Sequence, residues 1–243
     1  MPRPICAVVG GGEGLGRALA VKFSAEGYDI ALVSRSQKGS EVAARAASAA
    51  SSETNVRFFS ADVTEPHSVE RAFAEITDEM GAVDVLLYNV RGEFTACEPL
   101  EMTYDALENI CRVEIIGAFA AAKAVLPAMR SRGQGSVFFS SATAAYRGSK
   151  THPIYAIGKF GLRGLSQSLA KAYSGDGVHI VHVRLDCDLD VPLMRAAYGD
   201  RLKPGMLANP DEVAESYWLT HLQPKSAWSN EIELRPHTEL WTY

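Results

Sequence analysis

The sequence predicts an α/β fold, one doubly wound parallel sheet of about seven strands with helices on both faces. Short apolar runs alternate with amphipathic stretches along the whole chain. The runs are nearly all apolar, as strands covered on both faces must be. No repeat, low-complexity linker or shift in composition divides the 243 residues, so 1–243 is assigned to one domain.

The run 5–9 (Ile-Cys-Ala-Val-Val) is short, β-rich and stopped by glycines, which makes it the first strand. Residues 15–25 then place Leu15, Leu19, Val21 and Phe23 at helical spacing. The second strand is 30–33 (Ile-Ala-Leu-Val), followed by an Ala-rich helix near 39–51. The third is 56–59, and the helix after it opens at Pro66, a residue suited to a first helical turn. Strands at 83–87 and 135–139 bracket a long helix over 104–132. A second long helix over 153–173 leads to the sixth strand at 178–185. After a loop of about 186–209 come a helix from 210 and a short strand at 231–234, the latter within a tail of about 223–243.

Hydrophobic residues at 47% and charged residues at 22% exclude a disordered chain. With 24 Lys+Arg against 29 Asp+Glu, the net charge of −5 gives no pull toward nucleic acid or a membrane surface. The longest apolar stretch, 115–129, is broken by Lys123 and Pro127 and is too short to cross a bilayer. The first apolar run meets glycine too early for a signal peptide, so a cytoplasmic location is expected. Cys6, Cys97, Cys111 and Cys187 are scattered, with no C-x-x-C and no His/Cys cluster. They read as free thiols, and no metal site is expected.

Sheets of this kind bind ligands at the carboxyl ends of their strands, which places function after residues 9, 33, 60, 88, 140 and 185. Gly10-Gly-Gly-Glu-Gly14-Leu-Gly16 follows the first strand and opens into a helix. Glycines let backbone approach a pyrophosphate, and a helix N-terminus offers N–H groups and a positive dipole end. The reading is a nucleotide turn of a Rossmann-like sheet; a purely structural tight turn is the alternative. The second strand ends in Val33-Ser34-Arg35, where an acid would hold a ribose 2′-hydroxyl. Ser34 and Arg35 suit a 2′-phosphate instead, although a solvated surface arginine is the plainer alternative. Tyr155 and Lys159 stand at i, i+4 on one helical face, where an ammonium can stabilise a phenolate. Ser141 lies 14 residues upstream, at another strand end.

Together these landmarks resemble the short-chain dehydrogenase/reductase family over nearly the whole chain. The family's phosphate turn matches at Gly10, Gly14 and Gly16, with Leu15 inside it. Its adenine-holding aspartate matches Asp62, followed by Val63, and its N-N-A-G segment corresponds to Tyr88-Asn89-Val90-Arg91. Its catalytic residues match Ser141, Tyr155 and Lys159. The resemblance implies that Tyr155 donates and accepts the proton, Ser141 polarises the substrate oxygen, and Lys159 grips the nicotinamide ribose and lowers the Tyr155 pKa. The implied cofactor set is Gly10, Gly14, Leu15, Gly16, Ser34, Arg35, Asp62, Val63, Asn89, Tyr155 and Lys159. The expected activity is hydride transfer between NADP(H), preferred over NAD(H), and a small-molecule carbonyl or alcohol substrate covered by the 186–209 loop. A cofactor-binding protein with little or no turnover is the alternative. An S-adenosylmethionine methyltransferase shares a glycine-rich first turn but leaves Tyr155 and Lys159 without a role. The family also implies a homodimer or homotetramer through 104–132 and 153–173, with Phe119, Leu162 and Leu169 as candidate outer contacts.

Departures from the pattern concentrate near the nicotinamide. Val9 replaces the turn's threonine, only Asn89 survives of the asparagine pair, and Arg91 stands where glycine is usual. Glu114 occupies the position of the family's proton-relay asparagine, and Leu185-Asp186 replaces Pro-Gly. Glu13 puts an acid beside the phosphate turn. The tail from Ser226 to Pro236 is similar to that of an atypical subgroup. Asp186 and Asp188 are expected to border the nicotinamide, where at least one carboxylate would favour the oxidised, cationic ring; the alternative is that they point to water or cap the following loop. His179 and His182, lacking ligand partners, are expected to pack, and Trp218, Trp228 and Trp241 to pin the C-terminal segment or an interface. Nothing marks Cys187 as a nucleophile.

Overall fold

The computed structural model describes residues 2–239. Seven strands form one parallel sheet: β1 (Ile5–Val9), β2 (Asp29–Ser34), β3 (Val56–Ser60), β4 (Val85–Tyr88), β5 (Gly135–Ala142), β6 (Val178–Leu185) and, after two short strands described below, β9 (Glu231–Leu234). Their spatial order is β3-β2-β1-β4-β5-β6-β9, so the winding direction reverses between β1 and β4. That reversal opens a crevice at the carboxyl ends of the two strands.

The apolar strands serve two cores at once. In β1, Ile5, Ala7 and Val9 face a cluster shared with α3 (Pro66–Glu79), α5 (Gly117–Arg132) and α6 (Pro153–Tyr173). Cys6 and Val8 face the opposite cluster, with α1 (Leu15–Ala25), α2 (Gln37–Ala50) and α8 (Pro210–His221). This is the two-sided burial that unbroken apolar runs require.

The long helix expected over 104–132 is not uniform. It consists of α4 (Tyr104–Cys111), a π-helical turn (Arg112–Ile116) and α5. The Tyr88 hydroxyl, buried at the end of β4, donates to the Val113 carbonyl inside that turn at 2.5 Å. Leu162 and Leu169 are buried against the sheet and are not outer contacts, which corrects that expectation; Phe119 is exposed. Exposed large apolar side chains on these helices include Tyr104, Ile116, Phe119, Ile157 and Phe160.

The 186–209 segment is only partly loop. It contains β7 (Asp188–Leu189) paired with β8 (Leu207–Ala208), and α7 (Pro192–Tyr198) between them. The tail returns to the sheet as β9, where Glu231 accepts from Arg163, Gln167 and Tyr146. His179 stacks on Trp228 with ring centroids 4.6 Å apart, and Trp218 packs edge-on against Phe23 and Tyr28, so these residues pack as expected. Trp241 lies outside the described residues. Among the described residues, no helix is long and apolar enough to cross a membrane.

Candidate active site

The sheet brings Leu15, Asn89, Ser141, Tyr155 and Lys159 to one cavity of about 260 Å³ at the crevice. Arg91, Cys187, Asp188, Leu193 and Met194 complete its polar and apolar walls. The cavity therefore joins the end of β4, the end of β5, the start of α6 and the segment after β6.

The glycine turn is dictated by contact distances. Gly10 has φ +89°, and a Cβ there would meet the Asn89 carbonyl oxygen at 2.6 Å. A Cβ on Gly16 would meet the Gly10 oxygen at 2.3 Å. Only glycine lets β1, β4 and the first turn of α1 approach so closely. Gly14 caps α1 without a side-chain bond, and the Asn89 amide donates to the Gly10 oxygen at 3.3 Å.

Ser34, Arg35, Asp62 and Val63 do not line this cavity. They sit farther along the carboxyl edge, where β2 and β3 pair in register through Ser34 and Ser60. The Ser34 hydroxyl is engaged with Ser36 O and the Ser40 hydroxyl, whereas Arg35 is exposed. Asp62 Oδ1 accepts from the Thr64 amide and hydroxyl, bonds that hold its pKa below the usual carboxylate value, with the Arg35 charge adding to them.

At the chemical centre, Ser141 Oγ is buried and has no hydrogen-bond partner among the described residues. Tyr155 is nearly buried, and its phenol titrates above the ordinary value, first through burial. The Lys159 and Arg91 charges oppose that rise, while Glu114 and Asp188 add to it. Lys159 Nζ lies 5.5 Å from the Tyr155 ring centroid.

Lys159 holds a partner that sequence reasoning missed. Its Nζ donates to Glu114 Oε2 at 2.8 Å and to Ser140 O at 3.3 Å, and both charged side chains are essentially inaccessible. Burial works against the ammonium, but Glu114 outweighs it and raises the Lys159 pKa. The other Glu114 oxygen accepts the Gly92 amide at 2.7 Å. The signal was present in part: an acid stands where the family has asparagine, and Gly158 precedes Lys159. A Cβ on Gly158 would meet Ile110 at 2.6 Å and Glu114 Cγ at 3.0 Å, so this glycine makes the space that Glu114 fills.

Two further features lay beyond sequence reading. Phe94 stacks on His152, with centroids 4.0 Å apart, and packs perpendicular to the Tyr155 ring with centroids 5.0 Å apart. Asp186 is drawn away from the cavity: it accepts from Thr143 and pairs with Arg235 at 2.6 Å, because β9 returns the tail to its side. It is not among the residues that line the cavity, whereas its neighbours Leu185 and Cys187 are. Asp188 lines the cavity and accepts the Tyr198 hydroxyl at 2.7 Å. Cys187 also lines it, but burial pushes its thiol up to about 12, so it stays protonated near neutral pH.

Comparison with known proteins agrees with this architecture. A family model described as short chain dehydrogenase matches residues 4–187. A 3-dehydrosphinganine reductase of Arabidopsis thaliana is 34% identical over 190 residues, covering 74% of this chain and 56% of that protein. The chain thus spans about half the length of that relative. A levodione reductase of Leifsonia aquatica is 30% identical over 173 residues, 71% of this chain and 65% of that one. Among solved structures, a short-chain dehydrogenase from Rhodopseudomonas palustris superposes with a TM-score of 0.81 at 26% identity, covering 96% of this chain and 99% of that one. An alcohol dehydrogenase from Thermococcus sibiricus, solved in complex with 5-hydroxy-NADP, gives a TM-score of 0.83 at 24% identity over 99% of both chains. The chain belongs to the short-chain dehydrogenase family.

Proposed function

We propose that this protein moves a hydride between NADP(H) and a carbonyl or alcohol carbon of a small molecule, with Tyr155 as the proton donor and acceptor. The observation that carries the reading is the convergence of Ser141, Tyr155 and Lys159 on one cavity beside the glycine turn. The residues fit the cofactor: Gly12 in the Gly10–Gly16 turn has nothing within 4 Å of its Cβ position, so backbone there is open to a pyrophosphate, and Lys159 has a third N–H beyond the two taken by Glu114 and Ser140. When bound, the nicotinamide supplies or takes the hydride. Asn89, Leu15 and Lys159 would hold its half of the cofactor, and Asp62, Val63, Ser34 and Arg35 the adenosine half. The orphaned Ser141 hydroxyl would donate to the substrate oxygen, and Tyr155 would exchange its proton with that oxygen. Leu193, Met194 and Leu189 offer the substrate an apolar wall, with Arg91 and Asp188 as its charged edges. The protein is proposed to work as a homodimer or homotetramer.

A panel of carbonyls and alcohols followed by NADPH absorbance, with parallel cofactor titration by fluorescence, tests this. Tyr155→Phe keeps the ring and removes the proton, so kcat should fall by about 10²-fold or more with cofactor affinity retained. Full turnover in that variant would overturn the mechanism. Cofactor binding with no turnover across the panel would instead support a cofactor-binding protein without chemistry.

A further inference from the structure

Glu114 and Lys159 are opposite charges 2.8 Å apart, both withdrawn from water, at the one position where the phenol of Tyr155 would otherwise face a lone ammonium. The carboxylate reaches that place because the π-helical turn carries it inward, the Tyr88 hydroxyl donates to the turn's Val113 carbonyl, and Gly158 leaves α6 open against it. Both of its oxygens are used, one on the Lys159 ammonium and one on the Gly92 amide, so the lysine is tied to the loop that carries Asn89 and Arg91.

The electrostatic consequence follows from the geometry. A lone buried ammonium stabilises a nearby phenolate, and in a low-dielectric site that effect is large. A carboxylate in contact with the ammonium turns a single charge into a dipole, whose field at the phenol is much weaker. The remaining ionisable groups around Tyr155 carry one charge of each sign, and the cation weighs more than the anion. Arg91, after β4, adds a cation at the exposed rim, Asp188 of β7 adds an anion, and His152 touches it only through Phe94. Burial adds to the preference for the neutral phenol.

We propose that Glu114 is a positioning residue which neutralises Lys159 and thereby keeps Tyr155 protonated, setting the site to give up a proton, as carbonyl reduction requires. This rests on Tyr155 as the proton carrier, but the test does not depend on turnover. Tyrosinate absorbance is followed against pH in each variant, and the same background carrying Tyr155→Phe is subtracted to isolate Tyr155. In Glu114→Gln, Tyr155 should ionise roughly 1–2 pH units lower than in wild type. Glu114→Asp, which keeps the charge, should stay closer to wild type than Glu114→Gln does. The double variant Glu114→Gln/Lys159→Gln removes both charges and should titrate within about half a unit of wild type. Ionisation of Tyr155 in Glu114→Gln at or above the wild-type pH overturns the proposal. If Glu114→Gln does not fold, the double variant decides: a displacement of more than about one unit in either direction overturns it. A panel without any turnover would count against the proposed activity and leave this measurement standing.

Discussion

Arg35 and Ser34 sit side by side at the end of β2, but they are not equally available. Ser34 spends its hydroxyl on Ser36 and Ser40, while Arg35 extends into solvent with its charge felt at Asp62. A 2′-phosphate would therefore be gripped chiefly by the guanidinium. A charge-assisted hydrogen bond of this kind contributes about 1.5–3 kcal/mol, equivalent to roughly tenfold to a hundredfold in affinity. NADP(H) should accordingly bind more tightly than NAD(H), and Arg35→Ala should erase most of that difference while leaving NAD(H) affinity nearly unchanged. Fluorescence titration with both cofactors checks this, and equal affinities in the wild type would refute it. Glu13 is exposed beside the turn, so it would subtract from the preference only through solvent.

At the scale of elements, α6 and the π-helical turn depend on one another. Hydrophobic periodicity reads 104–132 as one helix because a single-turn π insertion shifts the apolar stripe without ending it. What the insertion accomplishes is to rotate Glu114 inward, opposite Gly158. Adding a methyl there forces the two elements apart, since Ile110 and Glu114 stand at 2.6 and 3.0 Å from the Cβ position. Gly158→Ala should destabilise the fold by about 1–3 kcal/mol, despite the better helix propensity of alanine, and lower the melting temperature. A melting temperature equal to or above wild type would show that the helices yield without cost.

For the whole molecule, buried histidines link stability to acid. His182 and His221 are pushed down to about 4 by burial, against an unfolded value near 6.5. The unfolded chain thus binds more protons between those values. The stability they contribute is fully present above about pH 6.5 and is lost as pH falls toward 4. For His182, which is wholly inaccessible, the loss is on the order of 3 kcal/mol. Glu231, held at about 2 chiefly by Arg163 against an ordinary 4.5, adds stability that is fully present above about pH 4.5 and is itself lost as pH falls toward 2. Thermal melts from pH 7 to pH 4 should show a steep decline that His182→Gln makes shallower. The exposed pairs Ile116/Phe119 and Ile157/Phe160 each lie three residues apart on a helix face. Burying them between copies is the proposed basis of the homodimer or homotetramer, and Phe119→Glu with Phe160→Glu should release monomers in light scattering. A stable wild-type monomer at micromolar concentration would end that expectation.

The strand and helix order, the two-sided sheet and the glycine turn were legible in the sequence, because each is written in local spacing: apolar runs, i, i+4 faces and glycines between a strand and a helix, whereas Ser141, Tyr155 and Lys159, which line one cavity, were picked out together by the family resemblance. The boundaries moved only slightly, with β4 starting at Val85 and β5 running on through Ala142. Contacts between residues far apart along the chain were not legible. The pairing of Glu114 with Lys159, the capture of Asp186 by Arg235, the inward burial of Leu162 and Leu169, and the stack of Phe94 on His152 join segments that only the folded sheet brings together. Sequence determined which chemical groups stand at the crevice. Tertiary structure decided which of them neutralise one another, because a buried charge takes its behaviour from its neighbours in space, and those neighbours lie 45 residues away in the case of Lys159 and Glu114.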